Sequence, residues 1–148
     1  MIRLPLMTAA LLIGGCGPIP QDPEGTLDRI KAERSFRVGM IASHGASAGL
    51  DRQRLLLRRM ALATGASPRV EQGPAEPLLM RLEEGELDLV LGEFAPASPW
   101  SKRVTIMPPL GEQVTRDGHV HVVAVARNGE NAWISLLYRE ARRVAAQP

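Results

Sequence analysis

Apolar and polar positions change period several times along this chain, and each change marks an expected element. Residues 36–41 (FRVGMI) form a short β-prone run, followed at 43–49 by a loop of small residues. From 50 to 64, apolar positions 56, 60 and 63, with 55 and 62 beside them, recur at helical spacing. Arg52, Arg54, Arg58 and Arg59 take other positions there and read as a solvated helix face, and Gly65 supplies the stop. Residues 68–72 form a weak second strand. Pro77 sits where the first turn of a helix tolerates proline, ahead of Leu78, Leu79, Leu82 and a stop at Gly85. Residues 87–91 (LDLVL) are the clearest strand, a nearly continuous apolar run of the kind buried on both faces of a parallel sheet.

Residues 93–118 break this rhythm. The pair Pro108 and Pro109 excludes a continuous helix or a central strand there, so an irregular connection is expected. Residues 120–126 form a fourth strand, and a turn at 128–131 leads into a last helix with Ile134, Leu137, Ala141 and Val144 inward. A short capped helix is expected at 26–30. Strands separated by helices of these lengths imply right-handed βαβ crossovers. The expected fold is α/β: a three-layer open sheet of mainly parallel strands with flanking helices, in one domain over 26–148.

Composition narrows the function. A chain of 148 residues, 45% hydrophobic and 23% charged, suits one folded domain and excludes a disordered one. The 18 cations, 16 of them arginine, face 16 acids for a net +2, which gives no concentrated field for nucleic acid. With aromatics at 3%, stacking platforms have almost nothing to be built from. The chain shows no Gly-x-Ser-x-Gly elbow, no phosphate-cradling glycine loop and no His-Glu-x-x-His, so neither catalysis nor a cofactor is expected. Glu83, Glu84 and Glu86 read as a charge run at a helix end, and Trp133 and Tyr138 as core or boundary residues. His119 and His121 share one face of a strand, yet without a third ligand nearby no metal site is expected.

The amino terminus carries its own pattern: Arg3, an apolar run over 4–13, then Gly14 and Gly15 before Cys16. That run is too short to span a bilayer, which takes about 20 apolar residues, and its layout is that of a signal peptide over 1–15. The ending Ile13-Gly14-Gly15-Cys16 resembles a bacterial lipobox. The resemblance implies lipidation of the Cys16 thiol, a membrane anchor, and a place in the periplasm or on the cell surface; the other reading is a plain secretory signal with a free cysteine. Residues 16–25, with prolines at 18, 20 and 23, read as a semi-rigid tether.

The order of motifs resembles the amino-acid group of periplasmic solute-binding proteins, with the type 2 periplasmic-binding fold. Residues 27–32 (LDRIKA) and 36–40 (FRVGM) look like that family's opening helix and strand, and 79–91 (LMRLEEGELDLVL) like its leucine, glycine and aspartate approach to a buried strand. Residues 98–110 (SPWSKRVTIMPPL) look like its threonine-proline-acid-arginine turn and the phenylalanine-serine-x-proline-tyrosine after it, and 122–129 (VVAVARNG) like its closing strand. The resemblance implies a small polar solute such as an amino acid, and an ABC permease as partner. Two departures stand out. Only one of two lobes fits the length, and Ser101 falls where the family's carboxylate-binding arginine belongs. A hydroxyl does not replace a bidentate guanidinium, so Arg103, with Lys102 beside it, is the candidate substitute.

In an open α/β sheet, ligands sit beyond the carboxyl ends of the strands. That groups the loops at 43–47, 72–76 and 93–101, with Ser43, His44, Ser47, Glu93, Ser98 and Ser101 as ligand-binding candidates. The plainer reading makes them solvated loop residues. Two functions follow: solute binding for transport, or a degenerate lobe whose uncovered face docks on another envelope protein.

Overall fold

A computed structural model describes residues 22–42, 47–95, 97–115 and 118–147. The expected signal peptide, Cys16 and all but the last four tether residues lie outside them. The chain runs α1 (Thr26–Glu33), β1 (Ser35–Ile41), α2 (Ser47–Thr64), β2 (Ser67–Gly73), α3 (Ala75–Glu83) and β3 (Leu89–Phe94). A 3-10 turn (Pro99–Lys102), β4 (Val104–Ile106), β5 (Gly111–Thr115), β6 (Gly118–Arg127) and α4 (Asn131–Ala145) follow.

The strands form one sheet in the order β2-β1-β3-β6, with β4 and β5 both on the far edge of β6. β1 is parallel to β2 and to β3, while β6 is antiparallel to β3, β4 and β5, so β6 alone runs against the other five. The reversal has a local cause. Only two residues separate β5 from β6, and a connection that short joins antiparallel strands. Otherwise the three-layer, mainly parallel sheet is the expected one. From β1 the chain moves outward to β2, then back across β1 to β3; keeping both crossovers right-handed puts α2 and α3 on opposite faces.

Side-chain alternation builds a core on each face. On one, Leu56, Met60, Trp133, Leu137 and Val144 pack against Phe36, Val38, Leu91 and Ala124; on the other, Leu78, Leu79 and Leu82 pack against Val90, Val123 and Val125. α1, α2 and α4 thus share a layer, and α3 lies opposite with Trp100 of the 3-10 turn.

Several sequence expectations are corrected. The segment 93–118 is not simply irregular: Glu93 belongs to β3, and β4 and β5 continue end to end along the edge of β6. Pairing slips by two residues at Pro108 and Pro109, where Met107 N and Leu110 N still donate to Ala124 O and Val122 O at 2.8 and 2.7 Å. An edge tolerates prolines that a central strand would reject. α2 begins three residues early, and Leu57 joins Leu56 and Met60 in the core while Ala63 is exposed and Leu62 stands 87% exposed. Nor are all its arginines solvated. α4 lies beside α2, so Arg52 donates to the carbonyls of Leu110 and Val144 at 2.9 and 3.3 Å, and Arg59 Nε donates to Glu140 at 2.7 Å. In α4, Trp133 and Leu136 join the inward stripe, and Ile134 is only partly buried. α1 has no side-chain cap from Thr26; Gly25 precedes it at φ 64, a left-handed value that suits glycine.

Candidate functional site

The strand ends create two polar regions, one at each end of the sheet. At the carboxyl end, β1 closes at Ile41 against β3. A Cβ on Gly92 would lie 2.6 Å from Ile41 Cδ1, so only glycine admits this approach where the connections of β1 and β3 diverge. Glu93 is half-buried in β3, and the chain turns after Phe94. Ser98 is buried; its hydroxyl accepts a 3.4 Å hydrogen bond from Trp100 N and caps the 3-10 turn, on which Ser101 is exposed. Ser43 and His44 lie outside the described residues, as does the side chain of Ser47, which opens α2. The expected loop at 72–76 contracts to little more than Pro74 between β2 and α3.

Arg103 is not at this end. Val104 pairs with Arg127, six positions along β6 from His121, the partner of Phe94, which is about 20 Å of strand. There the Arg103 guanidinium binds both carboxylate oxygens of Glu83 at 2.8 and 2.5 Å and lies 4.4 Å from the Trp100 ring centroid. Its substitution for the family arginine is therefore corrected: the loop returns along the α3 face and carries Arg103 to the last turn of α3. His121 Nε2 lies 3.4 Å from Glu112, its partner across β5, and His119 pairs in register with Val114. Among the described residues, no three His, Cys, Asp or Glu side chains gather as a metal site.

The amino end holds a cluster that the sequence reading missed. A cavity of about 320 Å³ is lined by Arg29, Arg37, Asp88, Arg127, Glu130 and Trp133, among others. The Asp88 carboxylate is buried just before β3; it accepts from Arg37 N at 2.7 Å, from Arg37 Nη2 at 2.7 Å and from Arg29. These hydrogen bonds raise the Arg37 pKa. Trp133 Nε1 donates to the Asp88 carbonyl at 2.7 Å. The available signal was an aspartate inside the apolar run LDLVL and an arginine inside FRVGM. Neither charge would stay there unpaired.

Beside it, the last residues of the expected tether are part of the fold. Glu130 is 2% exposed and accepts from the backbone N–H groups of Glu24 and Thr26 at 3.1 and 3.2 Å, while Asp22 accepts from Leu27 N at 2.8 Å. The caps of α1 thus come from Asp22 and from a residue more than a hundred positions away. Burial, and the hydrogen bond and negative charge of Glu130, outweigh the Leu27 amide and hold the Asp22 pKa above its ordinary value. Burial pushes Glu130 up too, but hydrogen bonds from Asp22, Thr26 and the Glu24 amide bring it below. The signs oppose. Asp22 contributes stability that is complete below its unfolded pKa and lost as pH rises through its raised folded value. Glu130 contributes stability present above its unfolded pKa and lost as pH falls through its depressed one. Melting measured against pH should therefore show a loss on the alkaline side of the ordinary aspartate range that Asp22→Asn removes and Glu130→Gln does not reproduce. Identical profiles for Asp22→Asn and the parent would refute the raised Asp22 pKa.

No family model matches the sequence, and no curated protein matches it either. Solved structures do. The arginine-bound form of domain 1 from TmArgBP, of T. maritima, in a single-substitution mutant, superposes with a TM-score of 0.66 at 14% identity, over 82% of this chain and 99% of that one. The chain has the fold of one solute-binding lobe. A Salmonella typhimurium periplasmic binding protein described for its high arginine specificity gives 0.60 at 9% identity, over 78% and 95% of the two chains. An ancestral amino-acid-binding protein, named as a precursor of cyclohexadienyl dehydratase, gives 0.57 at 13%, over 80% and 92%. At these identities the likeness is one of fold.

Proposed function

We propose that this chain is a lipid-anchored, extracytoplasmic lobe that binds a small polar solute, with an amino acid as the leading candidate, for an ABC-type permease. The supporting observation is the superposition on an isolated domain 1 whose structure is described as arginine-bound: a single lobe of this fold can be a binding unit. The proposed site is the carboxyl end of β1, β2 and β3, where Ser43, His44, Ser47, Glu93 and Ser98 supply donors and acceptors; Ser101 belongs to the turn that leaves this end toward Arg103. The role proposed for this end is holding a solute rather than turning it over. Cys16 carries the lipid, in a periplasmic or cell-surface location.

A half-site leaves its ligand wetter than the 70–90% burial of a closed pocket, so millimolar affinity is expected. Thermal melting in about 10 mM of each common amino acid should give a saturable rise for a subset, since tenfold excess over Kd adds about 1.4 kcal/mol. Glu93→Gln should weaken a cationic solute about tenfold. A lobe that is indifferent to every solute and forms a stable oligomer would overturn this in favour of docking on an envelope protein.

A further inference from the structure

Charge divides unequally between the two helical layers. α1, α2 and α4 together carry nine cations against four carboxylates, a net +5; the remaining residues carry nine against twelve, a net −3, which leaves the chain at +2. Internal pairing does not absorb the surplus. Arg29 pairs with Glu33, Arg54 with Asp51, and Arg59 and Arg143 share Glu140. Lys31, Arg58, Arg139 and Arg142 are exposed and make no ion pair among the described residues; Asp28 is the one exposed acid on these helices likewise unpaired there.

These cations surround a shape. Where α1, α2 and α4 meet, a groove of about 580 Å³ is lined by Lys31, Ala63, Asn131, Ser135 and Arg139, among others, with no carboxylate in its wall. The amino-end cavity, by contrast, satisfies its arginines with its own acids. Ser135, Arg139 and Arg142 follow one another at helical spacing along α4, and Arg58 lies one turn before Leu62 on α2. Leu62 edges a second, apolar depression of about 430 Å³ with Arg58, Ala61 and Gly65. Unpaired cations, hydroxyl and amide donors and a protruding leucine on one face match an interface that is anionic at its surface and apolar beneath.

We propose that the outer face of α1, α2 and α4 docks on the anionic headgroups of a phospholipid bilayer. A headgroup phosphate occupies the groove between Lys31 and Arg139, Arg58 and Arg142 face neighbouring headgroups, and Leu62 enters the interface. The face goes beyond the function proposed above and needs no acyl chain. A lipid on Cys16 would keep it in reach, because residues 17–25 span at most about 30 Å; only that clause rests on the anchor reading.

The test uses the full chain with Cys16→Ser, so that no acylation contributes. Sedimentation with vesicles of phosphatidylcholine alone, and with about 30% phosphatidylglycerol, isolates the anionic preference. The apolar stretch at 4–13 acts on both. Each cation near such a surface is worth about fivefold, so Arg139→Gln should lower the preference about fivefold and Arg58→Gln/Arg139→Gln/Arg142→Gln about a hundredfold, while Arg139→Lys, which keeps the charge, should keep the preference. Arg69→Gln, on the opposite face, should leave it unchanged. The preference should also fall with salt. Melting of each variant checks that it is folded, and Leu62→Ser, which should weaken binding to anionic vesicles without touching charge, stands in if the triple variant is not. Equal binding to both vesicles, or a preference that survives the folded triple variant, would overturn the proposal. So would a saturable thermal shift with glycerol phosphate in the absence of vesicle binding, which would make a free phosphate the ligand, or equally tight retention of duplex DNA. Loss of the anchor reading would show separately, as unlipidated wild-type protein in cells, and would leave the vesicle result standing.

Discussion

Replacing Asp88 by asparagine should destabilise the lobe by about 2–3 kcal/mol. The carboxylate is buried and serves two guanidiniums and one backbone amide, so three groups from α1 and β1 meet on one side chain ahead of β3. Removing one partner of a buried pair costs about 3–5 kcal/mol. Here the arginine side chains are 29% and 37% exposed, so water takes back part of the loss and the figure is lowered accordingly. Urea unfolding should show a lower midpoint at unchanged slope. A loss under 1 kcal/mol would mean that solvent already carries these arginines. The Asp88→Asn/Arg37→Met double variant should lose less than the two single changes added together, since both remove one contact.

The sequence showed the fold more fully than the site, for a physical reason. Burial on both faces leaves a mark in every residue of a strand, so β3 and β6 were readable as apolar runs, and Gly65 and Gly85 marked helix ends with φ of 69 and 76. Helix faces were less readable. In α2 the stripe was placed one position off at 62 and 63 because leucine and alanine are compatible with either side, and packing against α4 decided which residues turned inward. The 3-10 turn and edge strands escaped because prolines argue only against central structure. The charged contacts were least legible of all. Glu130 caps α1 across more than a hundred residues, and Arg103 meets Glu83 across twenty; spacing along the chain encodes neither. The nearness of Arg103 to Ser101, the position aligned with the family arginine, suggests a ligand contact, and only the return of the loop along α3 shows where its side chain goes.

Hydrocarbon is buried on both faces of a single sheet, and the short β5–β6 hairpin helps to hold that sheet together. Two residues join β5 to β6, and both hairpin strands stay in the same sheet. The outer edge of β6 is closed by hydrogen bonds from Met107 and Leu110, and Arg52 from α2 donates to the Leu110 carbonyl. The described sheet folds against its helices on both faces, and its larger core is the one under the three-helix layer.

That core depends most on Trp133. It is 1% exposed, its ring centroid lies 6.0 Å from that of Phe36 at 56°, and its indole N–H meets the Asp88 carbonyl. Trp133→Ala should cost about 3–5 kcal/mol through lost burial and the cavity left behind. Against a typical 5–15 kcal/mol for a domain, that removes a large share of the total and places the variant near unfolding at physiological temperature. Trp133→Phe separates the two contributions: it keeps most of the packing but leaves a buried carbonyl without its donor, for about 1–3 kcal/mol. Because the same carbonyl belongs to Asp88, Trp133→Phe and Asp88→Asn should couple, with the double variant departing from additivity by about 0.5 kcal/mol or more. Denaturation of the four proteins closes the cycle. Strict additivity would mean that α4 holds the sheet by packing alone and that the amino-end cluster is an independent unit; coupling would make α1, β1, β3 and α4 one cooperative anchor on which the open carboxyl end is mounted.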